Sequence, residues 1–139
     1  KGSKYNLPNT SVHLFERLSE EDQAPYLNLL KNLKTGKILW LFINPHGPWT
    51  IVSTRMVAGF KGNQLEHMNL NSISNVISQN LKQFGLKGFS NGQMTKMQEH
   101  KLSVTDLKGS EKIFITNEGN DFFALWNILK MIAAFNQSE

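Results

Sequence analysis

A chain of 139 residues with 40% hydrophobic and 19% charged content can bury a sizeable core, which excludes a disordered or low-complexity protein. Fifteen basic residues against eleven acidic ones give a formal charge of +4 and a pI near 9.4, a balance that favours acidic partners. The lysines are dispersed, which argues against a nucleic-acid patch, and the absence of cysteine excludes disulfides, thiolate zinc sites and cysteine nucleophiles.

The longest apolar run, ILWLFI at 38–43, is too short to cross a bilayer. Together with the missing cysteines it points to a cytoplasmic protein. The chain begins at Lys1 rather than at a methionine, which reads as a trimmed start and leaves membrane association through a lost segment open.

Residues 1–18 carry no clear period, although Leu7, Val12, Leu14, Phe15 and Leu18 are apolar. A helix is expected next. Ser19 is a natural N-cap, followed by Glu20, Glu21 and Asp22 where the helix dipole favours acids. Pro25 is expected within the first turn or at the start of the helix proper, since deeper it removes a ladder bond. Tyr26, Leu29, Leu30 and Leu33 form one apolar stripe, and Gly36 is expected to end the helix.

From Lys37 the period changes to two. KILWLFI reads as a buried strand, closed by the turn NPHGP. WTIVSTRMVAGFK reads as one continuous strand, with Val52, Thr54, Met56, Ala58 and Phe60 on one face and Ser53, Arg55 and Lys61 on the other. Gly62-Asn63 signals a two-residue hairpin turn, and QLEHMNL returns, giving a hairpin with one buried and one wet face. Ile73, Val76 and Ile77 fit either a strand with an irregularity or a helical turn, and strand is the expectation. KLSVTDLKGSEKIFIT reads as a second hairpin with its turn at Lys108-Gly109-Ser110. The last element is a helix capped by Asn120, with Phe122, Leu125, Trp126, Leu129, Ile132 and Ala133 on its apolar face. Phe123, Ile128, Met131 and Phe135 widen that face.

This element order, with IVSTRMVAGFKGNQLEHMNLNSISNV and KLSVTDLKGSEKIFITNEGNDFFALWNIL, resembles the bacterial pleckstrin-homology-like (PH-like) families. In those families a strand carrying Thr and Arg precedes a short hairpin and a Leu-x-x-Ile-x-x-Val step, here Leu70, Ile73 and Val76. The likeness spans roughly residues 33–136. It implies a mainly β (α+β) fold, a strongly bent antiparallel barrel or sandwich capped by the C-terminal helix. The extra N-terminal helix then belongs to an extension, residues 1–36, packed on a domain at 37–139. A helix of about 25 Å would plug the open end of such a sheet.

Residues that announce chemistry are scarce. His13, His46, His67 and His100 form no ligand pair, and no nucleophile elbow or phosphate-binding loop word occurs. GLKGFSNGQ at 85–93 lacks the strand-loop-helix setting of a phosphate cradle and reads as a flexible connection. Asp106, Glu111 and Glu118 lie near expected turns. No cofactor is implied, and the chain reads as non-catalytic. By the resemblance, lipid-binding relatives gather cations around the first strand-strand loop. Here NPHGPW is flanked only by Lys37 and Arg55, with His46 adding charge in acid, so lipid recognition is disfavoured. Arg55 reads equally as a solvent-facing strand residue. Lys31, Lys34 and Lys37 form a basic strip at the first helix's end, either solvated or a docking site. Trp49 is either an exposed anchor for a protein partner or a cap on the barrel mouth. These six residues are the candidate interaction surface. The expected partner is a protein or a second copy, by the resemblance a homo-oligomer; a weak anionic lipid binder and a small hydrolase or ligand-binding barrel are the alternatives.

Overall fold

The computed structural model describes residues 12–78, 101–117 and 119–137, and over them the chain is mainly β. A five-stranded antiparallel meander comes first, in the order β1 (Val12–Leu14), β2 (Ile38–Ile43), β3 (Trp49–Ser53), β4 (Met56–Lys61) and β5 (Gln64–Asn69). A three-stranded meander follows: β6 (Ile73–Ser78), β7 (Lys101–Asp106) and β8 (Glu111–Ile115). Helix α1 (Glu20–Leu30) lies between β1 and β2, and α2 (Asn120–Gln137) ends the described chain. The two sheets do not close into a barrel. No described helix is long and apolar enough to cross a membrane.

The stretch expected as one strand is two. Val52 pairs with Val57 across a turn at Thr54-Arg55, so β3 and β4 are neighbours. Ser53 makes that turn: its Oγ accepts from the N–H of Arg55 at 3.2 Å and of Met56 at 3.0 Å, and donates to Met56 O at 3.1 Å. One hydroxyl thus does what a turn glycine does elsewhere. The Gly62-Asn63 hairpin and the β7–β8 hairpin stand as read, and Ile73, Val76 and Ile77 lie in a strand. The segment 85–93, His100 and Glu118 lie outside the described residues.

Cross-strand register separates the two faces of the large sheet. Phe42, Thr50 and Gly59 share one face, and Leu41, Ile51 and Ala58 share the other. Both are covered, so β3 and most of β4 are buried on both sides rather than wet on one. On the first face Phe42, Val52, Val57 and Met68 meet Ile73, Leu102, Val104 and Phe114 of the small sheet and Phe122, Leu125 and Leu129 of α2. On the second face Leu41, Trp49, Ile51, Met56 and Ala58 pack with Phe15, Leu30, Tyr26 and Leu33 of the N-terminal layer. That layer is tied in at its start, because β1, which the sequence pattern did not show, pairs with β2.

Helix α1 is capped by Ser19, whose side chain accepts from Asp22 N–H at 3.1 Å. It stops at Leu30, not Gly36, and Pro25 sits inside it rather than in its first turn. The Glu21 carbonyl therefore lacks an N–H four residues on. Tyr26 and Leu30 face the sheet, while Leu29 is 41% exposed. Burial of the Tyr26 phenol, and secondarily the charge of Asp22, raises its pKa above the ordinary 10.0.

Helix α2 packs chiefly on β6 and the 3-10 turn at Leu70–Ser72. Phe123 N–H donates to Gly119 O, one residue earlier than the expected cap at Asn120 implies. Trp126 is half-buried and donates its indole N–H to Val76 O at 3.2 Å. Asn136 Nδ2 bridges Leu70 O at 2.8 Å and Ile73 O at 2.9 Å, fastening the far end. Met131 and Phe135, expected to widen the apolar face, are 54% and 67% exposed.

Candidate functional site

Five of the six sequence candidates separate into two groups at opposite ends of the β2–β3 hairpin. His46 and Trp49 lie at its closed end, where Ile43 pairs with Trp49. Lys34, Lys37 and Arg55 lie at its open end, where Ile38 pairs with Ser53. Lys37 and Arg55 therefore do not flank the NPHGPW loop in space. The β2 strand separates them from it by about 17 Å, at 3.3 Å per residue.

Trp49 is not an exposed anchor. It is 6% exposed, held edge-on to Tyr26 at 5.1 Å and stacked on Phe60 at 5.7 Å, while Tyr26 in turn meets Phe15 at 6.3 Å. The partner for its ring comes from α1, more than twenty positions away in the chain, so local sequence offered no sign of it. His46 is exposed, and its N–H donates to Asn44 Oδ1 at 2.9 Å within the turn. Lys31 is exposed at the C-cap of α1.

The other end holds a surface cleft. Lys34 and Arg55 line one surface cleft of about 530 Å³ together with Thr54, Met56, Asn69, Leu70 and Asn71. Three chain segments meet there, and hydrogen bonds fix how. Thr54 N–H donates to Lys37 O at 2.9 Å, and Thr54 Oγ1 accepts from Lys37 N–H at 3.1 Å. Arg55 O accepts from Leu70 N–H at 2.9 Å. Gly36 is what permits this contact. Its φ is +71°, and a Cβ there would fall 2.3 Å from Thr54 Oγ1. Lys37 Nζ pairs with Glu16 Oε1 at 3.0 Å, an exposed bridge that contributes little to stability.

Adjoining this cleft is an edge of the large sheet to which no other described strand is paired. The two-residue turn at Gly62-Asn63 makes Lys61–Gln64 a hydrogen-bonded pair, and such pairs alternate along an antiparallel ladder. Glu66 and Met68 therefore bond inward to β4, and the Leu70–Arg55 bond continues the same alternation. The N–H and C=O of Leu65, His67 and Asn69 point outward from β5, which is an edge strand. Asn69 belongs to both the edge and the cleft.

A second, smaller cleft of about 240 Å³ lies between the β4–β5 hairpin and β8. Three of its four charged side chains are engaged: Lys112 Nζ meets Glu66 Oε1 at 2.9 Å, and Glu111 accepts from Ser103. Among the described residues no three His, Asp or Glu side chains lie close enough to hold a metal ion. No family model matches this chain, and neither a curated protein nor a solved structure matches it.

Proposed function

We propose that this chain is a non-catalytic interaction module of PH-like architecture that mediates protein association, with β5 as its contact strand. Support for the architecture is the order of elements, a β2–β5 meander, a β6–β8 meander and a C-terminal helix packed over β6. The association reading is carried by one observation: β5 is a six-residue edge without proline or lysine. Natural edges are usually blunted by those residues or kept short, as β1 is with three residues.

A second copy fits this edge. The outward groups lie at Leu65, His67 and Asn69, evenly placed about His67. Two copies related by a two-fold axis set His67 opposite His67 and Leu65 opposite Asn69, matching every outward donor with an acceptor. Centring the axis on Glu66 instead sets two carboxylates face to face, which disfavours that register.

Sedimentation velocity from micromolar to near-millimolar protein tests this. The mass rises toward a dimer in the wild type and stays monomeric in His67→Pro, which removes an outward donor and leaves the β4–β5 ladder intact. A wild-type monomer at every concentration overturns the self-association reading.

A further inference from the structure

We infer that the cleft at the end of β5 receives carboxylate side chains from an acidic segment of a partner protein, held by Arg55 and Lys34. This rests on the interaction-module reading only in taking the ligand to be a protein.

The cations are presented from a braced frame. Arg55 is tied on both sides, its N–H to Ser53 Oγ at 3.2 Å and its C=O to Leu70 N–H at 2.9 Å. Its side-chain stem crosses Gly36: a Cβ there would lie 3.1 Å from Arg55 Cγ and 3.4 Å from Cδ. Gly36 thus leaves the groove in which the stem lies, and Lys34 enters the cleft from two residues upstream. An arginine whose base and stem are already placed loses less freedom on binding, and its planar fork matches a carboxylate.

The charge around the cleft is local. No carboxylate is among the described residues that line it, and Asn69, Asn71 and Thr54 supply neutral hydrogen-bonding groups beside the two cations. Lys37, whose backbone is bonded to Thr54, is neutralised by Glu16 at 3.0 Å. A planar anionic membrane would meet Glu16 together with the lysines. One or two carboxylate side chains on an extended segment suit a recess of about 530 Å³.

The test is a backbone-amide NMR titration of the full chain with a capped hexaglutamate peptide, against hexaglutamine, inorganic phosphate and phosphatidylglycerol-containing vesicles. Hexaglutamate shifts the amides of Thr54, Arg55, Asn69 and Asn71, hexaglutamine does not, and added salt weakens the effect. Lys34→Gln and Arg55→Gln each weaken binding about three- to ten-fold. Gly36→Ala weakens it too, although it changes no charge. Lys34 is exposed, so its variant keeps the fold and decides the matter if the Arg55 variant unfolds. Absence of shifts at these amides overturns the inference. So does phosphate acting as strongly as the peptide, or vesicle binding that Lys34→Gln abolishes. A failed titration and a monomeric sedimentation profile are separate results, so each proposal falls on its own.

Discussion

Thr50 joins β3 to β8 through one hydroxyl, and replacing it with valine measures that joint. Thr50 is fully buried on β3; its Oγ1 donates to Ile115 O at 2.8 Å and accepts from Ile115 N–H at 3.2 Å. Hydrogen-bonded pairs in the β7–β8 ladder include Val104–Lys112 and Leu102–Phe114, by alternation from the Asp106–Ser110 turn bond. Ile115 therefore points its N–H and C=O away from β7, and the Thr50 hydroxyl stands where a neighbouring strand would. Valine keeps the shape and removes both partners, leaving a donor and an acceptor buried without water, at about 1–3 kcal/mol for each. The gained methyl burial offsets about 1 kcal/mol, so Thr50→Val should cost about 1–5 kcal/mol. For a chain of this size that is about 3–17 °C in Tm. Urea unfolding followed by tryptophan fluorescence reads it as a lower midpoint at constant slope. Thr50→Ser keeps the hydroxyl and should lose only about 1 kcal/mol. If valine lies within about 0.5 kcal/mol of wild type, or serine is as damaging as valine, the hydroxyl is not the joint.

Three further outcomes follow from particular contacts. Gly59→Ala would bring a Cβ to 2.9 Å from Phe114 Cδ1 and 3.3 Å from Trp49 O, and should lower stability by about 1–3 kcal/mol in the same urea assay. Pro25→Ala restores an N–H inside α1 and should raise the midpoint, with a gain of about 1–2 kcal/mol after the lost rigidity of the unfolded chain is offset. The raised Tyr26 pKa keeps the folded state protonated where the unfolded state has ionised. Stability is therefore complete below the ordinary pKa of 10.0 and falls as pH rises beyond it. Tyr26→Phe should flatten that alkaline fall in circular-dichroism titrations.

Long periodic elements were legible in the sequence, and convergent ones were not. The face of α2 could be read because Phe122, Leu125, Leu129 and Ala133 repeat at helical spacing over several turns, and all four are buried. Gly62-Asn63 and Ser19 are local chemistry with local consequences, and both act where the pattern places them. The β3–β4 turn escaped because β-formers continue on both sides and no glycine or proline interrupts them. Its only signal was Ser53, a residue type that favours the first position of a turn. Gly36 was visible as a glycine, but its purpose lay with Thr54 and Arg55, eighteen or more positions on. The cleft escaped for the same reason: Lys34, Arg55 and Asn69 come from three segments whose meeting depends on the register of β4 against β5.

Coverage of the large sheet decides where recognition can occur. In a half-open sheet the exposed face is the natural contact surface, and alternating polar residues would mark it. Here α1 and Phe15 cover one face, while the small sheet and α2 cover the other, so Ile51, Ala58 and Val57 are all fully buried. Neither face of β3 or β4 can meet a partner without unpacking a core. What remains is the perimeter: short edge β1, long edge β5, and the ends of the hairpins. Among the described residues, β5 is the edge that combines outward backbone groups at Leu65, His67 and Asn69 with a cation-bearing cleft at its end. On the proposed reading, backbone pairing would supply affinity with little regard for sequence, and the Arg55–Lys34 pair would supply discrimination by charge. A partner strand that satisfies Leu65 and His67 but carries lysine at the Asn69 end should bind more weakly than one carrying glutamate, and moving that glutamate to the opposite end should remove the advantage.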